Sequence, residues 1–303
     1  MPNANLQAQD LTSARQTVLT STTSTGTPTL GLRRIRAPPT IGHDKKTELG
    51  YVKVEVDGLK VLQMNLKQSA ERLRKLANDI LDNDRHVNVI AIQDPPESLF
   101  RSSGLWRSYN LDYNSSTKAT DIGAPVVPPV AFLVYKMIPP TSFRSLSYQG
   151  LGSFEPYVRT LMIDSDIGPL SITNVYNHTN RMDQNMIKSL ACHSTGNRHL
   201  LVGDFNLHHT VWGGPDDSDS AMGQKLVDEM ASRRMICLNK PGLATFERGV
   251  QETVIDLTFA GPDMASFVQQ WDVLEVEAWK GDHKPILTQI GRVVRRETPV
   301  FCN

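Results

Sequence analysis

The sequence predicts an α/β fold in which two packed β-sheets are flanked by helices. Apolar runs of strand length alternate with amphipathic helical stretches, the pattern of a layered α/β domain. Several of those runs also stop abruptly at Asn, Asp or Tyr, as if each strand delivers one polar group to a sheet edge. The chain of 303 residues is 39% hydrophobic, enough for a sizeable core. No apolar run is long enough to cross a bilayer.

Residues 1–50 read as a flexible tail. Thr20 to Thr29 is nearly all Ser and Thr, and Arg33, Arg34 and Arg36 precede Pro38 and Pro39, a composition too polar to pack. The ordered domain is expected over 51–295, with a short C-terminal tail over 296–303. Leu59 to Met64 reads as a strand ending at Asn65. From Ser69 the apolar residues fall at Leu73, Leu76, Ala77, Ile80 and Leu81, a helical stripe. Val87 to Ile92 is a second strand, stopped at Asp94 by Pro95 and Pro96. A strand–helix–strand unit of this kind puts Asn65 and Asp94 at the same sheet edge.

The middle is less regular. Residues 101–129 read as a loop with a short strand near Trp106. Val130 to Tyr135, Tyr157 to Ile163 and Leu170 to Val175 read as an antiparallel stretch, the last ending at Tyr176-Asn177-His178. Asp183 to Ala191 reads as a helix. Leu200, Leu201 and Val202 leave no room for a helix before Gly203, so they form a buried strand carrying Asp204 and Asn206. Ala221 to Arg234 is helical. Met235 to Leu238, Val254 to Phe259, Trp271 to Val276 and Ile286 to Ile290 are strands, with Gly281-Asp282-His283 before the last.

Formal charge is zero, from 32 basic and 32 acidic residues, so no global positive field marks a nucleic-acid binder. Arg101, Arg107, Lys118, Lys136 and Arg144 could form a local phosphate-tracking strip, or be ordinary solvated charges. Cys192, Cys237 and Cys302 are odd in number and widely spaced, which suits a reducing compartment and no zinc site.

Asn65, Asp94, Tyr176, Asp204, Asn206, Asp256, Asp282 and His283 all terminate apolar strands or follow them. Each alone can be a turn former. Together they offer carboxylates to hold a hard cation and activate water, and an Asp to orient an imidazole. Phosphodiester hydrolysis needs those functions, because the substrate is anionic and repels its nucleophile.

The motifs Gln63-Met64-Asn65, Ile92-Gln93-Asp94, Val175-Tyr176, Gly203-Asp204-Phe205-Asn206, Ile255-Asp256-Leu257 and Gly281-Asp282-His283 resemble those of the endonuclease/exonuclease/phosphatase superfamily. That superfamily shares a four-layered α/β-sandwich of DNase I-like type. Asn206-Leu207-His208-His209 followed by Val211-Trp212-Gly213-Gly214 is similar to the endonuclease domain of non-LTR (LINE-like) retrotransposons. The resemblance covers roughly Leu59 to Ile290.

The resemblance implies a metal-dependent phosphodiesterase. Asp94, Asn65 and Asp282 would form the metal side, with Mg2+ as cofactor and Mn2+ as a substitute. Asp204 would activate water, Asn206 would steady water and phosphate, and His283, held by Asp256, would contact the phosphoryl oxygen. Tyr176 and Asn177 would also face the phosphate. The implied partner is DNA, nicked as in target-primed retrotransposition, with no membrane association and a nuclear, otherwise cytoplasmic, location. A reverse transcriptase accompanies such domains in relatives, and this chain is read as lacking one. A small-substrate phosphatase and an inactive nucleic-acid-binding relative are the alternatives. Two departures stand out: Asp94 replaces the usual Glu, and Gly281 replaces the commoner Ser.

Overall fold

Period-two alternation along the strands separates the two faces of each sheet, and the computed structural model shows where each face goes. It describes residues 53–54, 58–82, 87–101, 108–113, 127–146, 151–178, 181–193, 198–214, 217–275 and 281–291, all within the unit Leu49–Asn303. The N-terminal tail and the expected strand at Trp106 lie outside these residues.

The first sheet contains β1 (Leu59–Asn65), β2 (Val89–Gln93), β3 (Tyr109–Tyr113), β4 (Val130–Tyr135), β13 (Val268–Val273) and β14 (Ile286–Ile290), in the order β13-β14-β1-β2-β4-β3. The second contains β5 (Phe143–Leu146), β6 (Val158–Ser165), β7 (Gly168–Tyr176), β8 (His199–Asp204), β9 (Ile236–Cys237) and β12 (Asp256–Ala260), in the order β5-β6-β7-β8-β12-β9. A separate hairpin pairs β10 (Phe246–Arg248) with β11 (Gln251–Thr253). Each large sheet is mixed, with one parallel pair: β1 with β2, and β7 with β8.

Val61, Val89, Ala91, Phe132 and Val134 of the first sheet meet Leu161, Ile172, Leu200, Val202 and Ala260 of the second in a dry seam. The alternate residues Leu62, Met64, Ile90 and Ile92 face outward onto Leu73, Leu76 and Ala77 of the helix Ala70–Asp82. On the other side, Val175, Leu201, Leu257 and Phe259 pack against Ile187 and Leu190 of the helix Gln184–His193. Leu226 and Met230 of the helix Ala221–Ser232 join the same cluster. The result is helix, sheet, sheet, helix: the four-layered DNase I-like sandwich.

Two expectations change. The strands Val130–Tyr135 and Val158–Ser165 do not form one antiparallel stretch; β4 pairs with β2 and β3, whereas β6 pairs with β5 and β7. Both are equally apolar, so local pattern cannot say which sheet each joins. The strand expected at Trp271 begins earlier, at Val268, because its exposed Gln269 and Gln270 carry no apolar signal.

Candidate active site

The seam between the sheets is apolar through its depth and turns polar at one end. Along β1 the inward face runs Leu59, Val61, Gln63, Asn65; along β8 it runs Leu200, Val202, Asp204. Gln63 donates to the Gly203 carbonyl at 3.0 Å and accepts from the Thr258 hydroxyl at 3.3 Å. Gln93 donates to Asn174 Oδ1 at 2.5 Å, and Asn174 donates onward to the carbonyls of Ile92 and Ala131. These amides tie the sheets together below the cleft and satisfy polar groups that burial would otherwise penalise.

Strand register assembles the next layer. Asp204 lies opposite Asp256 in the β8–β12 ladder and beside Tyr176 in the β7–β8 ladder. Gly203 has φ +150°, and a Cβ there would meet the Val175 carbonyl oxygen at 2.0 Å. Only glycine permits that approach of β8 to β7. Asp204 Oδ2 accepts from Asn65 Nδ2 at 2.9 Å, and Oδ1 accepts from the Asn206 backbone at 3.1 Å. His283 Nδ1 lies 2.9 and 3.1 Å from the Asp256 oxygens, and Nε2 lies 3.9 Å from Asp204 Oδ2. The Phe246 ring stands edge-on to the imidazole at 4.8 Å between centroids. Asp204, Asp256 and His283 are all buried.

Burial of Asp204, together with the neighbouring Asp256 charge, pushes its carboxyl up to about 7. For His283, burial pulls downward, but the Asp256 charge and hydrogen bond and the Asp204 charge outweigh it, so the imidazole titrates above its usual value. Tyr176 is also raised, first by burial and then by the charges of Asp94 and Asp204. Its hydroxyl, 2.9 Å from His178 Nδ1, therefore keeps its proton.

Asp94 follows β2 with φ +46°, and its carboxylate accepts from the Gln68 amide at 3.1 Å. Lys67, Gln68 and Asn206 also have positive φ, so four of the five such non-glycine residues among those described lie in the loops of this cleft. Backbone strain concentrated at a site in this way is characteristic of function. Asp94 and the Asn65 side-chain oxygen, which accepts from the Lys67 N–H at 2.8 Å, are hard oxygen donors that fit a divalent cation. Asp204, Asp256 and His283 also present ligand atoms within 4.8 Å of one another. In that set Asp256 is also engaged by His283 Nδ1.

Four predicted residues are placed differently. Asn177 does not face the cleft: it is fully buried, donates to the Phe205 carbonyl at 2.5 Å and accepts from Met182 N at 2.9 Å. Its amide shapes the loop, and Asn206 Nδ2 reaches its backbone carbonyl at 3.2 Å. Asp282 is ion-paired with Lys67 and lies 3.8 Å from Arg72, and the Lys67 hydrogen bond holds its carboxyl below the usual range. A carboxylate already facing two cations has little charge to offer a metal. Arg101 and Arg144 pair with Glu97 and Asp164, while Arg107 and Lys118 lie outside the described residues.

Sequence reasoning missed Lys67, Arg72 and Phe246, all of which border the cleft. Lys67 and Arg72 follow Asn65 closely, but only the Asp282 contact reveals their role. His209 caps the helix Thr210–Gly213 by accepting from Val211 N at 3.1 Å, and its other nitrogen meets Gln224 at 3.0 Å. Trp212 is fully buried and donates to the Leu207 carbonyl at 3.1 Å. The His-His-Thr-Val-Trp-Gly-Gly stretch thus anchors the loop after β8.

A family model described as endonuclease-reverse transcriptase matches residues 170–287, the stretch that carries Tyr176, Asp204, Asp256 and His283. Among solved structures, the chain is similar in fold to the endonuclease domain of TRAS1, a telomere-specific non-LTR retrotransposon. The two are 19% identical with a TM-score of 0.60, over 77% of this chain and 98% of that one. The AP endonuclease LMAP from Leishmania major is 13% identical with a TM-score of 0.58, over 78% of this chain and 88% of that one. An AP endonuclease from Archaeoglobus fulgidus is 13% identical with a TM-score of 0.56, over 77% and 99%. At these identities the likeness is one of fold. No curated protein matches the chain. Among the described residues, no helix is long and apolar enough to cross a membrane.

Proposed function

We propose that this chain is a member of the endonuclease/exonuclease/phosphatase superfamily and a metal-dependent phosphodiesterase that nicks DNA, with its catalytic domain spanning about residues 51–295. The observation that carries the reading is the line Asp256–His283–Asp204, with Nδ1 2.9 Å from one carboxylate and Nε2 3.9 Å from the other. The wider gap leaves Nε2 and Asp204 to share a phosphoryl oxygen and a water. Asp256 fixes the tautomer and favours the imidazolium, which donates to the phosphoryl oxygen. Asp204, once ionised, takes a proton from the water as its oxygen bonds to phosphorus and the ester bond opposite breaks. Asn65 and the Asn206 backbone aim the carboxylate, and the Asn206 side chain steadies water and phosphate. Tyr176 remains a hydroxyl donor to the phosphate.

Asp94 and Asn65 would hold Mg2+, or Mn2+ in its place. When bound, the ion supplies positive charge for the phosphoryl and departing oxygens. Asp282 is assigned to positioning Lys67 and Arg72 at the rim. Action in the nucleus follows from DNA as substrate, and a reverse transcriptase acting on the freed 3′ end is the expected partner.

The test is relaxation of a supercoiled plasmid. Nicked circles should form with Mg2+, vanish with a chelator, and vanish with Asp204→Asn or His283→Ala. Equal residual activity in all three proteins would sink the assignment.

A further inference from the structure

Beside Asp94 and Tyr176 a cleft of about 410 Å³ is lined on its far side by Tyr157 and His178. His178 has no part in the chemistry proposed above. It is exposed, yet its ring is held from two directions. The imidazole lies 5° from parallel to the Tyr157 ring, with centroids 6.5 Å apart. Tyr157 is in turn stacked at 5.8 Å on the fully buried Phe154. Nδ1 of His178 meets the Tyr176 hydroxyl at 2.9 Å. The stack sets the plane of the imidazole, and the hydrogen bond sets which edge turns toward Tyr176.

A contact of this kind needs one proton between its two atoms, and either side can supply it. The hydroxyl has a single proton. Burial, then the charges of Asp94 and Asp204, keep that proton on the oxygen, and a hydrogen bond with Asp94 adds to their effect. The proton is therefore drawn to an anion: the Asp94 carboxylate, or the substrate phosphate once it arrives. Hydrogen bonds to ionised acceptors are about twice as strong as neutral ones, so a neutral imidazole does not win it. Nδ1 must then bring its own proton. We infer that His178 is a positioning residue held as the Nδ1–H tautomer, which donates to the Tyr176 oxygen and so aims the hydroxyl proton at the phosphate. Asn65 is the other donor to this oxygen. Free histidine favours the proton on Nε2, so the Nδ1–H form is imposed by the partner that Nδ1 meets. In the opposite tautomer Nδ1 would take the hydroxyl proton, and the phosphate would face lone pairs that repel it. The service to the phosphate rests on the DNA-cleavage reading; the tautomer rests on the contacts alone.

The test begins with two-bond 15N–1H correlation spectra of the full chain, labelled at its eight histidines and recorded at pH 8.5. The His178 signals are those missing from His178→Phe. A proton on Nδ1 in wild type that moves to Nε2 in Tyr176→Phe is the expected result. A proton on Nε2 in wild type, or a tautomer that Tyr176→Phe leaves unmoved, overturns the inference. Nicking kinetics supply the second readout. His178→Phe keeps a ring over Tyr157 but removes the donor, and should lower kcat about tenfold with KM near wild type, as for other supporting hydrogen bonds. His178→Asn, whose amide nitrogen can stand near the place of Nδ1, should recover most of that loss. In a Tyr176→Phe background, His178→Phe should cost nothing further. Equal losses in both backgrounds would mean that the ring serves only the fold, and the positioning role fails. Thermal unfolding checks that each variant folds. A wild-type chain that nicks no plasmid overturns the cleavage reading, and the spectra still decide the tautomer.

Discussion

Asn65 Nδ2 donates to Asp204 Oδ2 across 2.9 Å, joining strand ends that lie 139 residues apart in the chain. One edge of each sheet is thereby locked to the other at the point where a water and a phosphate would meet. The bond favours the ionised form of Asp204 against the burial that opposes it. Asn65→Ala should lower cleavage at neutral pH and move the acid limb of the rate profile upward. A profile measured from pH 5.5 to 9 checks both; an unmoved limb would separate Asn65 from the base.

The wild-type rate should climb with pH through about 7 as Asp204 ionises. It should fall again above the raised range of His283, where the imidazolium is lost. Such bell-shaped behaviour belongs to the coupled pair. Asp204→Asn should cut turnover by about 10² to 10⁴. It should also raise the thermal midpoint at pH 8. The unfolded carboxyl ionises near its ordinary value of 3.8 and the folded one near 7, so stability falls as pH rises between them. The neutral amide removes that cost. A midpoint that is unchanged at pH 8 counts against the buried charge.

In the proposed reading Asp94 carries the cation dependence. Asp94→Ala should require a much higher Mg2+ concentration for the same nicking rate, and Asp94→Glu, which restores the commoner side-chain length, should retain or improve activity. A Mg2+ titration of the three proteins decides this. Asp282→Asn should leave the Mg2+ requirement near wild type and weaken DNA binding through loss of Lys67 and Arg72 placement.

Gly203→Ala should be poorly tolerated, because the added Cβ would lie 2.0 Å from the Val175 carbonyl. We expect loss of soluble protein or a large drop in thermal midpoint, read by circular dichroism. A well-folded, fully active variant would mean that β7 and β8 separate more readily than their close approach implies.

His209→Ala separates scaffold from chemistry. Removing the cap should cost about 1 kcal/mol of stability, seen in denaturant unfolding, while turnover per folded molecule stays near wild type. A selective loss of turnover would give His209 a part in the chemistry.

The sequence by itself determined the alternation that makes the strands, the helical stripe at Leu73, Leu76 and Ala77, and the polar residues that end β1, β7 and β8 and open β12. It also held the motif order that resembles the superfamily's. It left β5 and the β10–β11 hairpin unseen, since Arg144, Glu247 and Glu252 interrupt any apolar pattern there. Only the tertiary structure decided which strand ends converge. It turned the Asn177 amide and the His209 ring to loop-holding, gave Asp282 to Lys67 and Arg72, and set an aromatic cleft beside Asp94 and Tyr176. The physical reason is that periodicity specifies which face a side chain occupies, a local property of the backbone. Its partner depends on sheet order and loop closure, which join residues far apart in the chain.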